Sequence, residues 1–117
     1  MATAAQQASA RIPSGEELIE RARAMIPALK ARAAQATAQR RIPDETIAEM
    51  QAAGFFRILQ PKRWGGYEMH PNIFFEVQKL LAEGCMSTGW VYGVVGGHPY
   101  ELALFHNQAQ QEVWGEN

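Results

Sequence analysis

The sequence is poor in cysteine and carries almost no net charge. Its 117 residues include one cysteine, Cys85, which excludes an internal disulfide framework and suits a reducing compartment. The 11 basic and 12 acidic side chains leave a formal net charge of −1. Such a balance gives no electrostatic attraction toward nucleic acid or an anionic membrane, so neither is expected as a partner.

Metal-binding motifs and long apolar runs are also missing. The three histidines, His70, His98 and His106, have no cysteine or carboxylate partner at metal-ligand spacing, so no metal site is predicted. The longest apolar run, around residues 91–97, is far shorter than the roughly 20 residues that span a membrane. The first ten residues lack the basic and apolar regions of a secretory signal. Together these absences predict a cytoplasmic protein.

Helix signals are what the first half of the chain does have. Ser14 and Glu17 form a capping-box pattern at the start of a long alanine-rich segment. Pro27 lies inside that segment and is expected to kink the helix or split it in two. The arginines of the segment, among them Arg32, are interpreted as a solvated face because glutamates balance part of their charge.

Glycine and proline mark the next boundaries. Pro43 starts a second helix and Gly54 ends it as a left-handed residue, after which Phe55 and Phe56 enter the core. A loop over residues 59–67 turns at a glycine pair, Gly65 and Gly66, for which a positive φ is expected.

The second half of the chain continues in the same way. A third helix covers residues 73–83, ends at Gly84, and buries a stripe that includes Phe74. The last segment runs from a cap at Asn107 to Trp114. Because no strand alternation appears, the sequence predicts an all-α domain of about five or six helices over residues 14–117, orthogonal or up-and-down, after a disordered terminus over residues 1–13.

Three glycines dominate the helix between these segments. Ser87 is expected to cap it, and Gly89, Gly93 and Gly97 recur every four residues on one side. Each glycine costs roughly 1 kcal/mol relative to alanine, so something must approach that side closely. The spacing favours a second helix packed backbone to backbone, and a flat ligand is the alternative.

Trp90 and His98 are the candidate site residues. Pro99 disfavours the helical region for the residue before it, so His98 is expected just past the helix end. A lone tryptophan is usually part of a core and a lone histidine usually has a structural hydrogen bond. At the end of a glycine-lined wall, however, the two side chains could border a cavity for an aromatic ligand.

The order of these landmarks resembles the N-terminal helical domain of the acyl-CoA dehydrogenase superfamily. Residues 42–46, residues 54–56, Gln60–Pro61 and residues 64–66 carry this resemblance. Residues 87–90, His98, residues 102–105 and residues 111–116 resemble its two-component flavin-dependent monooxygenases. Among those, the secosteroid phenol hydroxylases are nearest and the p-hydroxyphenylacetate hydroxylases are more distant.

The resemblance implies a function for a larger protein. Family members are several times longer, with a central β domain, a C-terminal four-helix bundle and a homotetrameric assembly. They ortho-hydroxylate phenols, including steroid-derived phenols, with O2 and reduced FMN or FAD from a separate flavin reductase. By resemblance, Trp90 contacts the isoalloxazine, His98 is a catalytic residue near the phenol hydroxyl, and the glycine stripe lets backbone approach the ligand.

The chain is therefore expected to be a fragment. It would be cut before the β domain, with most flavin contacts beyond Asn117, so the 117 residues alone should be inactive. Two alternatives stay open. One is a related flavoprotein, either an acyl-CoA dehydrogenase or a desulfurising monooxygenase, and the other is a truncated, non-catalytic helical interaction module with an exposed apolar face.

Overall fold

Five α-helices account for most of residues 11–115, the part of the chain that this computed structural model describes. They are α1 (Gly15–Gln39), α2 (Asp44–Ala52), α3 (Pro71–Gly84), α4 (Met86–Leu102) and α5 (Asn107–Trp114), with short 3-10 turns at Phe55–Arg57 and Lys62–Trp64. The all-α prediction is confirmed for these residues. Residues 1–10 of the disordered terminus predicted over residues 1–13 lie outside the described residues.

The first helix begins as its sequence predicts. The Ser14 hydroxyl accepts a hydrogen bond from the Glu17 amide at 3.1 Å, and the Glu17 carboxylate accepts one from the Ser14 amide at 3.3 Å. Of the two expected outcomes at Pro27, a kink or a split, the split does not occur, because α1 is one continuous helix of 25 residues. Proline removes one hydrogen bond there, but its fixed φ suits a helix and the burial of Leu18 and Leu29 on either side holds the chain helical.

Helix α3 lies between α1 and α4 and packs against both. The core comprises apolar side chains from these three helices, from α2 and from the segment after α2: Leu18, Ala22, Leu29, Met50, Phe55, Ile58, Leu59, Phe74, Val77, Leu81 and Tyr92. Gly54 has a left-handed φ of 87° after α2, as predicted, and the next residue, Phe55, is fully buried. Phe56 is partly buried and packs against the same core.

Two arginines of α1 do more than face solvent, since Arg21 donates to the Ala53 carbonyl at 2.9 Å and Arg32 contacts α2. Arg32 donates two hydrogen bonds of 2.8 Å to the Glu49 carboxylate and a third, of 3.2 Å, to the Thr46 hydroxyl. The solvated-face interpretation is therefore wrong for Arg32, which joins α1 to α2. The sequence could not show this contact, because it connects residues 17 apart that only the packing of the two helices brings together.

The loop before α3 folds back on the chain that precedes it. The Tyr67 amide donates to the Arg57 carbonyl at 2.8 Å and the Met69 amide to the Ile58 carbonyl at 2.9 Å. Gly65 has the expected positive φ of 90°, but Gly66 does not. Gly66 is needed for another reason, since a methyl group there would collide with the Gln60 carbonyl.

Two classes of feature are absent from residues 11–115. No helix in this region is both long and apolar enough to cross a membrane. No cluster of three or more histidine, cysteine or acidic side chains in it could hold a metal ion.

Candidate functional site

Helix α4 carries both candidate site residues on its open side. Its buried side, with Thr88, Gly89, Tyr92 and Gly96, faces α3 and the core. The opposite side carries the Trp90 side chain, which is 73% exposed, and the His98 side chain, which is 63% exposed. The two residues are eight positions apart, or about 12 Å along the axis at 1.5 Å per residue. The structure therefore places them on one open face of one helix.

The surroundings of Trp90 are apolar as well as open. Met86 and Val94 lie one turn to either side of it, and both are exposed large hydrophobic residues. With His98 they form what we call the α4 face: Met86, Trp90, Val94 and His98. A contiguous apolar patch on a small protein usually marks a surface that another body covers.

His98 lies inside α4, so the prediction that it sits past the helix end is wrong. The helix passes through Pro99 and ends at Leu102. Proline restricts its predecessor without forbidding the helical conformation. Beyond it, the Ala103 amide donates to the Pro99 carbonyl at 3.1 Å. The continued helix also puts Glu101 one turn from His98, with its Oε2 atom 3.6 Å from the imidazole Nδ1.

The glycines of α4 have more than one purpose. A methyl group on Gly89 would put its carbon 2.5 Å from the Cβ of Ala82 in α3, and one on Gly93 would collide with the Gln78 amide. These two glycines allow helix-to-helix contact, so the ligand interpretation is wrong for them. Gly97 differs, because the nearest atom to such a methyl group is a Phe74 ring carbon at 3.8 Å.

Cys85, rather than Ser87, is the N-cap residue of α4, and no side chain caps the helix there. Ser87 lies within the first turn, so its predicted capping role is wrong. Burial of the Cys85 thiol opposes its ionisation, but hydrogen bonds from the Thr88 hydroxyl and from the Thr88 and Ser87 amides outweigh this and lower its pKa.

Tyr92 is the central residue of the core, and no specific signal in the sequence indicates it. Its hydroxyl donates to the Phe55 carbonyl at 2.8 Å, and its ring lies 5.1 Å from the Phe74 ring between centroids. Burial raises the pKa of this phenol far above its ordinary value. Because Tyr92 points away from the α4 face, it fixes the rotation of α4 and thereby exposes Trp90.

Gln110 anchors the C-terminal helix and was also missed. Its Oε1 atom accepts from the Arg63 guanidinium at 2.6 Å and from the Trp64 indole at 3.1 Å. Its amide nitrogen donates to the Ala103 and Phe105 carbonyls at 3.1 and 2.8 Å. The cap of α5 is His106, whose Nδ1 accepts from the Gln108 amide, and not Asn107 as predicted.

The chain is similar in sequence to known proteins. The family model of the acyl-CoA dehydrogenase N-terminal domain matches residues 13–116. The chain is 44% identical over 99 residues to the flavin-dependent monooxygenase oxygenase subunit HsaA of Rhodococcus jostii RHA1, covering 85% of this chain and 26% of the relative. It is 34% identical over 101 residues to the oxygenase component of p-hydroxyphenylacetate 3-hydroxylase of Acinetobacter baumannii, covering 86% of this chain and 24% of the relative.

Solved structures give the same result. The HsaA monooxygenase of Mycobacterium tuberculosis superposes with a TM-score of 0.86 at 42% identity, over 90% of this chain and 29% of that chain. XiaF from a Streptomyces species, solved in complex with FADH2 and glycerol, superposes with a TM-score of 0.80 at 29% identity, over 97% of this chain and 28% of that chain. The chain spans about a quarter of the length of the curated relatives it matches.

Proposed function

The chain belongs to the acyl-CoA dehydrogenase N-terminal domain family, and from this premise we propose that it is part of a two-component flavin-dependent monooxygenase. The proposed reaction is ortho-hydroxylation of a phenolic substrate, for which steroid-derived phenols are one candidate class. The two relatives described above are the oxygenase subunit of a flavin-dependent monooxygenase and the oxygenase component of a hydroxylase, which favours this reaction over dehydrogenation of an acyl-CoA. This chain would form one wall of the site, because it spans about a quarter of those relatives.

The observation that carries the proposal is the open indole of Trp90. An indole that is 73% exposed and flanked by Met86 and Val94 leaves a flat apolar surface in water. Such a surface fits one side of an isoalloxazine ring, since offset stacking of flat rings and removal of apolar area from water are both favourable. The α4 face thus fits reduced FMN or FAD, with Trp90 as the cofactor contact.

His98 is the proposed catalytic residue. When bound, reduced flavin supplies the electrons that activate O2. The His98 imidazole would hydrogen-bond the hydroxyl of the phenol and accept its proton as the ring becomes more electron-rich at the ortho carbon. With Nδ1 close to Glu101, the other ring nitrogen, Nε2, is the one we assign to the substrate.

Further partners belong to the same proposal. A separate flavin reductase would deliver the reduced cofactor, and the full-length protein would assemble as a homotetramer. The α4 face by itself offers one side of a ring and no cation for a flavin phosphate. We therefore expect the 117-residue chain alone to bind reduced flavin weakly or not at all.

A domain exchange tests the proposal. Residues 11–115 would replace the matching quarter of the Rhodococcus jostii subunit, and reduced FMN and FAD would be titrated anaerobically into this chimera and into the chain alone. Binding by the chimera only, followed by hydroxylation of a phenol when O2 is added, is the expected result. Absence of binding in both would instead favour the helical interaction module.

Variants of the chimera separate the two roles. Trp90→Ala should weaken reduced-flavin affinity about tenfold, since one aromatic stacking contact contributes about 1.5 kcal/mol. Leu104→Ala is the matched control, because Leu104 is 76% exposed but lies outside α4. His98→Gln should leave flavin affinity unchanged and lower hydroxylation about 100-fold. Unchanged flavin affinity in Trp90→Ala would remove the cofactor role of Trp90.

A further inference from the structure

The methionines of residues 11–115 differ sharply in their exposure to solvent. Four lie in this part of the chain: Met25, Met50, Met69 and Met86. Met50 is fully buried, and Met25 and Met69 are partly buried against the core. Met86 alone among the four is an exposed large hydrophobic residue, with 74% of its surface accessible. A flexible thioether normally fills gaps in an apolar interior, so this exposed one is unusual.

Met86 stands beside the proposed cofactor surface. It is the first residue of α4, and Trp90 follows it four residues later, about one helical turn along the axis. Side chains four residues apart on a helix are neighbours, with Cβ atoms about 5–6 Å apart. The Met86 thioether can therefore reach the edge of the Trp90 indole, an arrangement that sulfur and aromatic rings favour.

An exposed thioether is reactive toward peroxides. A lone pair of the sulfur attacks one oxygen atom of hydrogen peroxide, a sulfur–oxygen bond forms and the O–O bond breaks. The departing hydroxide takes the proton of the transferred oxygen and becomes water. The sulfur is oxidised to a sulfoxide and the peroxide is reduced. The product side chain is polar, whereas the thioether was flexible and apolar.

Reduced flavin on the α4 face would generate this oxidant beside Met86. When no substrate takes an oxygen atom, reduced flavin and O2 give oxidised flavin and hydrogen peroxide. Peroxide formed against Trp90 would be released one helical turn from the Met86 sulfur. A longer protein that covers the α4 face from solvent would not shield Met86, because the oxidant arises under the cover.

We propose that Met86 is a sulfoxidation site for hydrogen peroxide, and that its oxidation weakens the binding of a flat apolar ring to the α4 face. A sulfoxide oxygen holds water beside Trp90, so a ring that stacks there removes less apolar area from water. Turnover without substrate would thus lower the affinity for reduced flavin and limit further peroxide production. The effect on flavin rests on the proposed function, whereas the reactivity of Met86 does not.

The first test needs no flavin. The 117-residue chain is partly oxidised with hydrogen peroxide, and its proteolytic peptides are analysed by mass spectrometry. Met86 should gain oxygen at least about tenfold faster than Met50, because peroxide reaches the Met50 sulfur only when the fold opens. Tryptophan fluorescence should change with the oxidation of Met86 and stay constant in Met86→Leu, a substitution of similar volume. Equal oxidation rates at Met86 and Met50 would overturn the proposal.

The second test measures the effect on the cofactor surface. The chimera is oxidised in the same way, and reduced flavin is then titrated into it anaerobically. Its affinity should fall about fivefold, as expected if roughly 40 Å² less apolar area is buried, and methionine sulfoxide reductase should restore it.

Met86→Leu is the matched control for this experiment, because peroxide should leave the flavin affinity of that variant unchanged. An equal loss of affinity in Met86→Leu, or full affinity after complete oxidation of Met86, would overturn the role assigned to the sulfoxide. A chimera that binds no flavin contradicts the proposed function instead, and the modification site is then decided by the peptide analysis of the chain alone.

Discussion

Replacement of two glycines of α4 by alanine should have opposite effects on stability. At Gly97 the new methyl group meets nothing closer than 3.8 Å, so the chain gains the full helix preference of alanine, about 1 kcal/mol. At Gly89 the same methyl carbon would lie 2.5 Å from the Cβ and 2.7 Å from the Cα of Ala82. Carbon atoms normally pack about 3.5–4.0 Å apart, so α3 and α4 must separate by about 1 Å.

The size of the difference follows from these distances. Overpacking of this kind costs about 1–3 kcal/mol, and the helix preference offsets about 1 kcal/mol of it. Gly89→Ala should therefore be less stable than Gly97→Ala by about 2 kcal/mol, or about 8 °C in Tm at roughly 4 °C per kcal/mol for a chain of this size. Urea unfolding followed by far-UV circular dichroism measures the difference. Equal stability of the two variants would refute the assignment of Gly89 to helix packing.

Three further predictions concern other parts of the fold. Gln110→Ala should lower the free energy of unfolding by about 2 kcal/mol, because it leaves the Trp64 indole and two backbone carbonyls without their hydrogen-bond partner. The control Gln111→Ala, at an exposed residue, should change it by less than about 0.5 kcal/mol. Urea titration followed by tryptophan fluorescence measures both variants. Ser14→Ala removes the N-cap of α1 and should lower the free energy of unfolding by about 1 kcal/mol, whereas Ser87→Ala should be nearly neutral in the same assay. Equal losses in the two variants would contradict the caps assigned to α1 and α4. The hydrogen bond and charge of Arg32 outweigh desolvation and lower the pKa of Glu49 from its ordinary 4.5. The pair should therefore stabilise the fold above pH 4.5, and this stabilisation should be lost as the pH falls through the lowered pKa of Glu49 in the folded protein. Acid unfolding of Glu49→Gln should lack this loss.

Local signals in the sequence were sufficient for most helix boundaries. The capping box at Ser14 is confirmed, as is the left-handed glycine at Gly54, because each depends on residues within a few positions of one another. The family resemblance is confirmed as well, by the match over residues 13–116. The roles of Trp90 and His98 stay predictions.

The errors in the sequence interpretation occur where packing overrides a local preference. Pro27 and Pro99 both lie within continuous helices. At Pro27, burial on either side stabilises the helix more than one lost hydrogen bond destabilises it. Ser87 is a better N-cap residue than Cys85, yet α4 begins two positions earlier than the sequence suggested. His98 consequently moved from a loop to the open face of a helix.

The sequence by itself determined the helices, the turns and the family, since these depend on periodicity, capping and spacing along the chain. Only the tertiary structure decided which side of each helix is covered. Tyr92 packs under Phe55 and Phe74 and turns α4 so that Trp90 and His98 face outward together. The same packing brings Gly89 and Gly93 against α3 and leaves Gly97 open over a cavity. The equal four-residue spacing of the three glycines could not reveal this difference, because it depends on atoms of α3 that are distant in sequence.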